Sequence, residues 1–235
     1  MRFYYEYRTL ILVAAVALPV VFCVVHYLAI GPKGAELKRL PRTVERLSIW
    51  DRLVHFLRAL TFVLAGFTGY VLAFGPDDPE PGHVVLGTVF AAASVASVVL
   101  WYRHSLPRRQ DLEWLAHVGG YLSKKPPRLR SAKFNAGQKI FIWLSLAVAV
   151  ALAATGHQLS DGSGSSADNP DGLLVAHGLL GALAVALVIA HIYLSVWAVP
   201  GTWRALINGK VAKEWLAHHH PDDDSPTVDS PRDRP

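Results

Sequence analysis

Five long apolar segments, separated by polar ones, dominate the pattern of hydrophobic positions along the chain. They run from Leu10 to Ile30, Leu53 to Phe74, Val84 to Leu100, Ile140 to Leu159 and Leu173 to Val199. Because an α-helix needs about 20 apolar residues to cross the hydrocarbon core of a bilayer, each segment is predicted to form a membrane-spanning helix. The pattern therefore predicts an all-α fold, an integral membrane helix bundle without a second globular domain.

The distribution of charge predicts how these helices are oriented. Hydrophobic residues make up 52% of the chain and charged residues 17%, and most of the charged residues lie outside the apolar segments. Residues 31–52, 101–139 and 204–213 are rich in Lys and Arg, whereas residues 75–82 and 160–172 contain neither. The positive-inside rule places the basic segments in the cytoplasm and the acidic loops outside. The formal net charge of +5 then reflects topology and contact with membrane lipid, and it requires no nucleic-acid partner.

The first apolar segment is predicted to be an N-out signal-anchor helix, because the basic residues after it must lie in the cytoplasm. Its 21 residues exceed the apolar region of a cleavable signal peptide. We interpret His26 within it as a polar interior residue and not as a ligand. The single cysteine, Cys23, also lies there, which excludes an intrachain disulfide or a cysteine-ligated cluster within this chain.

Two histidines in the last apolar segment are the most informative residues of the sequence. His177 and His191 are fourteen residues apart, which on one helix puts them roughly 21 Å apart along the axis and about 40° apart around it. An ionisable side chain inside a bilayer is costly and usually has a partner or a cofactor. Two interpretations are open: stacked metal or haem sites, or interior histidines that hydrogen-bond to neighbouring helices.

Four membrane histidines fall into two layers when they are placed by depth. His55 and His191 belong to the cytoplasmic ends of their helices, and His83 and His177 to the outer ends. A low-spin b-type haem needs two neutral imidazoles on opposite faces and no CxxCH attachment, and the chain has no such motif. A zinc site would need three or four ligands in one shell. A proton-coupled transporter would need acids for a relay, and the predicted spans contain no Asp or Glu.

Glycines near the histidines would leave room for a flat ring. These are Gly66, Gly69, Gly87, Gly178 and Gly181. A missing side chain lets a ring approach the backbone, but small residues also mediate ordinary helix packing in membranes. Either use fits the pattern, and a haem-free membrane anchor is the corresponding alternative function.

The remaining polar features receive simpler interpretations. His157 is expected to face water or to touch a haem propionate, and Arg58 to pair with a propionate or to reach lipid head groups. Residues Asp111 to Leu122 are predicted to form a short amphipathic helix on the cytoplasmic surface. The other histidines, namely His104, His117 and the run His218 to His220, are expected to be exposed to solvent. The polar tail over residues 221–235 is expected to be disordered.

Several short motifs resemble the gamma subunit of respiratory formate dehydrogenase, the membrane cytochrome b of a formate-to-quinone complex. They are DRLVH at 51–55, KFNAGQK at 133–139, AHIY at 190–193 and NGKV at 208–211. The resemblance extends from about residue 47 to 221. It implies a four-helix di-haem cytochrome b domain over 47–220. The extra transmembrane helix and cytoplasmic linker over 1–46 have no counterpart in the four-helix form of that family.

The resemblance also implies cofactors, partners and roles. His55 with His191 would ligate one haem b nearer the cytoplasm, and His83 with His177 a second nearer the outside. Asn135, Gly137 and Gln138 match the family segment that binds quinone, either menaquinone or ubiquinone. Asn135 could equally be a helix N-cap.

Electrons would come from an iron–sulfur beta subunit and a molybdenum or tungsten catalytic alpha subunit, so this chain would not itself act on formate. A similar cytochrome of thiosulfate or polysulfide reductase or of hydrogenase is the alternative.

Overall fold

The computed structural model describes residues 2–74, 81–125, 127–161 and 170–223. Its five long α-helices are α1 (Arg2–Ile30), α2 (Ile49–Phe74), α3 (Pro81–Ser105), α5 (Ala136–Ser160) and α6 (Pro170–Tyr193). Shorter helices are α4 (Arg109–Ala116), α7 (Arg204–Asn208) and α8 (Lys213–His219), and a two-residue strand β1 (Val44–Glu45) pairs with β2 (Lys210–Val211). The prediction of five membrane-length helices is confirmed.

The surfaces of the long helices are apolar, as a lipid environment requires. Leu28 is 77% exposed and Val99 is 71% exposed, and large contiguous apolar surfaces of this kind mark contact with membrane or partner. Among the five long helices of the described residues, α3 has the largest fraction of buried residues in its apolar part. Its Ser94 and Ser97 are fully buried and each donates a hydrogen bond to the backbone carbonyl four residues earlier. Small residues of this kind allow close helix packing in a membrane.

Two compact units divide the chain. Unit 1 comprises Met1–Val21, Val54–Val99 and Leu144–Ala190, and the residues of it that the structure describes are almost all helical. Unit 2 comprises Phe22–Leu53, Leu100–Trp143 and His191–Pro235. It holds the remaining helical segments together with the strand pair and the short helices.

Unit 2 contains a small hydrophobic core that the sequence did not predict. Its centre is built from residues far apart in the chain: Val44, Val199, Ala205, Val211, Ala212, Trp215 and Leu216. The antiparallel pairing of β1 with β2 joins the segment after α1 to the segment after α7. Asp223, assigned to the polar tail, forms an ion pair of 2.6 Å with the buried Arg46. The segment assigned as a linker is therefore part of a packed structure.

Two predicted helices end differently from the sequence-based expectation. The last apolar segment is not one uninterrupted α-helix, because α6 ends at Tyr193 and continues as a π-helical turn over Leu194–Ala198. The helix predicted over Asp111 to Leu122 ends at Ala116. Gly119 and Gly120 follow with φ of 62° and 72°, a left-handed conformation that terminates helices.

Candidate cofactor site

Two of the predicted ligands face each other in unit 1. His83 lies in the first turn of α3 and His177 in α6, and their ring centroids are 6.0 Å apart with an interplanar angle of 77°. Two imidazoles that bind one metal ion from opposite sides at about 2 Å have ring centres roughly 6 Å apart. The spacing of this pair therefore fits two imidazoles that would hold one shared iron.

Each of these histidines is held by a threonine and a glycine of the preceding long helix. Nδ1 of His83 lies 2.9 Å from the Thr68 hydroxyl, and Nδ1 of His177 lies 2.8 Å from the Thr155 hydroxyl. A Cβ atom at Gly69 would lie 3.0 Å from Cε1 of His83, and one at Gly156 would lie 3.2 Å from Cε1 of His177. Side chains at these two glycines would therefore displace the imidazoles.

The two threonines were not predicted, although the sequence carries a signal for them. Both belong to a Thr-Gly dipeptide, at 68–69 and at 155–156, and each dipeptide lies near the end of the helix before a histidine-bearing helix. Three of the other glycines named near the histidines leave open space in the structure. A Cβ atom built at Gly66, Gly87 or Gly181 would meet no atom within 4 Å.

The other two predicted ligands belong to different units. His55 is half-buried in α2 within unit 1. His191 is half-buried in unit 2, where its ring stacks on Phe141 with centroids 4.4 Å apart and an interplanar angle of 7°. Phe141 belongs to α5, the helix that begins at the predicted quinone segment.

The predicted quinone residues form the start of α5. The side-chain oxygen of Asn135 accepts from the Gln138 N–H at 2.9 Å, and that of Gln138 accepts from the Asn135 N–H at 3.0 Å. This reciprocal pair is a capping box, with Asn135 as N-cap. Both caps use the amide oxygen, so each amide nitrogen keeps its donors for another partner. At Gly137, a Cβ atom would lie 2.6 Å from the Trp114 ring, so glycine is needed for packing.

A buried ion pair beside this segment was not predicted. The Lys139 ammonium lies 3.0 and 2.8 Å from the two carboxylate oxygens of Asp111, and the two residues are 5% and 8% exposed. The carboxylate also accepts a hydrogen bond of 2.6 Å from the Arg108 N–H. Together with the contact between Trp114 and Gly137, the pair anchors α4 to the first turn of α5.

Three further polar residues of the long helices, His26, His157 and Arg58, contact neighbouring side chains or backbone. His26 is buried and hydrogen-bonds through both ring nitrogens, as expected for a polar interior residue. His157 is exposed, 3.0 Å from the Thr88 hydroxyl. Arg58 is half-buried, with its guanidinium 5.8 Å from the Phe90 ring centre.

The prediction that residues 218–220 are all solvated is wrong. The His219 ring stacks on Trp215 with centroids 4.6 Å apart. His220 is 3% exposed, and its Nδ1 donates a hydrogen bond of 2.8 Å to the Ala132 carbonyl oxygen. Burial lowers the pKa of His219 to about 4 and that of His220 well below its usual value. The reason is that α8 packs into the core of unit 2. His104 is half-buried near Phe134, and His117 is exposed.

Comparison with known protein families matches residues 46–209 to the model described as prokaryotic cytochrome b561. The chain belongs to the prokaryotic cytochrome b561 family. The matched region contains α2, α3, α5 and α6, so α1 precedes it. Membership of this family implies haem b and electron transport, and the prediction of a multi-pass protein of the bacterial inner membrane is confirmed.

Curated relatives of this family member are cytochrome subunits. The chain is 24% identical to the cytochrome b556 subunit of nitrate-inducible formate dehydrogenase from Escherichia coli K12, over 77% of this chain and 89% of the relative. It is 26% identical to the cytochrome b556 subunit of formate dehydrogenase from Haemophilus influenzae, over 72% of this chain and 77% of the relative. The resemblance found from the sequence motifs is confirmed.

Proposed function

We propose that this chain is the cytochrome b subunit of a respiratory formate dehydrogenase complex and transfers electrons through two b haems to membrane quinone. The donor side would be an iron–sulfur subunit linked to a molybdenum or tungsten catalytic subunit. This chain would not act on formate itself. The names of the relatives support the assignment to formate dehydrogenase.

The observation that carries the proposal is the ring pair of His83 and His177. Two imidazoles from different helices, 6.0 Å apart, fit ligation of one haem iron. When bound, haem supplies one-electron redox chemistry, and the chain supplies ligands, orientation and an apolar surrounding. The second proposed pair, His55 with His191, rests on the family resemblance.

The quinone end is proposed in unit 2, at the start of α5. A quinone carbonyl needs hydrogen-bond donors at the polar edge of the membrane. The amide nitrogens of Asn135 and Gln138 are donors that the capping box does not use. Phe141 connects this segment to His191 through the ring stack. The basic loops would put this end in the cytoplasm, where quinone takes up its protons.

Haem content tests the ligand assignment. The purified full-length chain, expressed in haem-replete cells, is expected to contain two non-covalent haems b, extractable with acidified acetone. His83→Ala and His177→Ala should each remove one and the same haem, and His55→Ala and His191→Ala the other. His157→Ala is the matched control, since this histidine is exposed and bonded to Thr88, and it should keep both. Loss of one common haem in His55→Ala and His83→Ala would contradict the pairing.

Reduction by different donors tests the complex assignment. The complex purified with its partner subunits is expected to reduce the haems on addition of formate. Reduction of the haems by hydrogen gas, or oxidation of the reduced haems by thiosulfate or polysulfide, with formate inactive, would instead assign the cytochrome to another quinone-linked complex. Haem absorbance in the presence and absence of a soluble quinone analogue measures both steps.

A further inference from the structure

Thr68 and Thr155 occupy equivalent positions beside the two facing imidazoles, and neither has a role in the proposed electron transfer. We propose that both threonines are positioning residues that hold the proton of His83 and His177 on Nδ1, present Nε2 to the iron, and lower the reduction potential of the haem bound there. The proposal rests on the proposed function, in which His83 and His177 hold one haem, and it adds a hydrogen-bond partner for each of these two ligands.

The direction of each hydrogen bond follows from the other contact of the hydroxyl. The Thr68 hydroxyl oxygen lies 3.0 Å from the Leu64 carbonyl oxygen, and that of Thr155 lies 2.7 Å from the Ala151 carbonyl oxygen. A carbonyl oxygen can only accept, so the single hydroxyl proton is directed to it. The hydroxyl must then accept from the imidazole, which places the ring proton on Nδ1.

The resulting tautomer is the one that iron needs. A neutral imidazole with its proton on Nδ1 carries its lone pair on Nε2. Histidine ligands commonly donate their second ring N–H to an acceptor, which fixes the tautomer and orientation and raises the basicity of the ligating nitrogen. A more basic imidazole stabilises ferric over ferrous iron, so the potential falls.

The glycine after each threonine also helps to orient the imidazole. Gly69 and Gly156 let Cε1 of the partner imidazole approach the helix backbone, where a Cβ atom would lie at 3.0 and 3.2 Å. Each Thr-Gly dipeptide therefore orients one ring by two contacts, a hydrogen bond and a close packing contact. The same construction occurs twice, on α2 facing α3 and on α5 facing α6.

A third threonine–histidine contact provides an internal control. The Thr88 hydroxyl donates to the Val84 carbonyl oxygen at 2.8 Å and lies 3.0 Å from Nε2 of His157. His157 is exposed and is bonded through the nitrogen that a ligand would need free. Thr88→Val therefore removes a similar hydrogen bond in the same unit from a histidine that is not a proposed ligand.

Redox titration of the haems in the purified complex tests the proposal. Thr68→Val and Thr155→Val, which keep the side-chain shape, should each shift the haem that His83→Ala removes to a more positive potential. In the double variant we expect a change of about tenfold in the ratio of reduced to oxidised haem, or about 59 mV for a one-electron couple. Thr68→Ser and Thr155→Ser keep the acceptor and should remain near wild type.

The possible outcomes separate this role from packing and from the proposed function. An unchanged potential in the double variant, an equal shift in Thr88→Val, or haem loss in the Ser variants would overturn the proposal. Haem loss in the Val variants alone would support it.

Histidine nitrogen NMR of the full chain prepared without haem gives a second readout, in which the wild type should show the Nδ1–H form of His83 and Thr68→Val should lose it. This NMR measurement does not need bound haem, so it tests the tautomer even if the proposed haem ligation is wrong.

Discussion

Nδ1 of His26 lies 2.5 Å from the hydroxyl oxygen of Tyr193. The other ring nitrogen lies 2.7 Å from the backbone carbonyl oxygen of Tyr121. Since a carbonyl oxygen only accepts, Nε2 carries the ring proton and Nδ1 accepts from the tyrosine hydroxyl. This contact joins α1, which precedes the family match, to the last residue of α6, two positions after His191.

The first prediction is that this hydrogen bond couples α1 to α6 energetically. His26→Leu and Tyr193→Phe should each lower the thermal stability of the detergent-solubilised protein, because each leaves a buried polar partner unsatisfied. The double variant should be less destabilised than the sum, with a coupling of about 0.5–1.5 kcal/mol. Tyr27→Phe, at an exposed tyrosine of the same helix, is the control and should have little effect. Strict additivity of the two substitutions would contradict the coupling.

The second prediction separates helix capping from quinone binding at the start of α5. Asn135→Asp and Gln138→Glu keep the oxygen acceptors of the capping box but remove the amide donors. Negative charge is also favourable at a helix N-terminus. These variants should fold and bind both haems, while the rate of haem reoxidation by quinone falls.

Asn135→Leu is the comparison for that experiment, because it removes the donor and the cap together. It should also cost about 1 kcal/mol of stability. Normal quinone kinetics in Asn135→Asp and Gln138→Glu would move the quinone site elsewhere. The measurement is stopped-flow haem absorbance, with thermal unfolding in parallel.

The third prediction concerns the buried pair of Asp111 and Lys139. Replacing one partner, as in Lys139→Met, leaves the buried Asp111 carboxylate without its ion pair and should lower the free energy of unfolding by about 3–5 kcal/mol. The double variant Asp111→Leu with Lys139→Met should recover most of that loss. Arg130 and Asp222 form a more exposed pair, with Arg130 at 71% side-chain exposure. Arg130→Met should therefore change the free energy of unfolding by less than about 1 kcal/mol. An equal loss of stability in Lys139→Met and Arg130→Met would contradict the idea that burial makes the first pair important.

The fourth prediction is a loss of stability on mild acidification. The folded state holds the pKa of His219 at about 4, against about 6.5 when unfolded, because burial disfavours the charged ring. Between these values the unfolded state binds more protons, so stability is present above pH 6.5 and is lost as the pH falls towards 4. His220 is shifted in the same direction.

Thermal unfolding between pH 7.5 and 5 measures this effect. The wild type should lose at most about 1.4 kcal/mol per pH unit for each such histidine. His219→Gln should reduce the pH dependence and leave the part that His220 contributes. His218→Gln, at an exposed neighbour, should change the dependence much less. A wild-type unfolding temperature that is constant from pH 7.5 to 5 would refute the prediction.

The sequence by itself determined the five long helices and the capping box at the start of α5. Each of the five long helices follows from its own apolar composition, because backbone groups inside a bilayer must be satisfied within one segment. The capping box of Asn135 and Gln138 connects residues three positions apart, so its pattern was visible in the sequence. The assignment of His83 and His177 to the same ends of their helices also follows from counting residues.

Only the tertiary structure decided which side chains meet. The contact of Thr68 with His83, the ion pair of Asp111 with Lys139 and the strand pairing of Val44 with Val211 all join different elements of the chain. These contacts depend on how each helix is rotated about its own axis and on which surface segments pack together. Hydrophobicity cannot fix that rotation, because lipid tails are as apolar as the helix surfaces they cover. Hydrogen bonds and close packing between specific residues fix it instead.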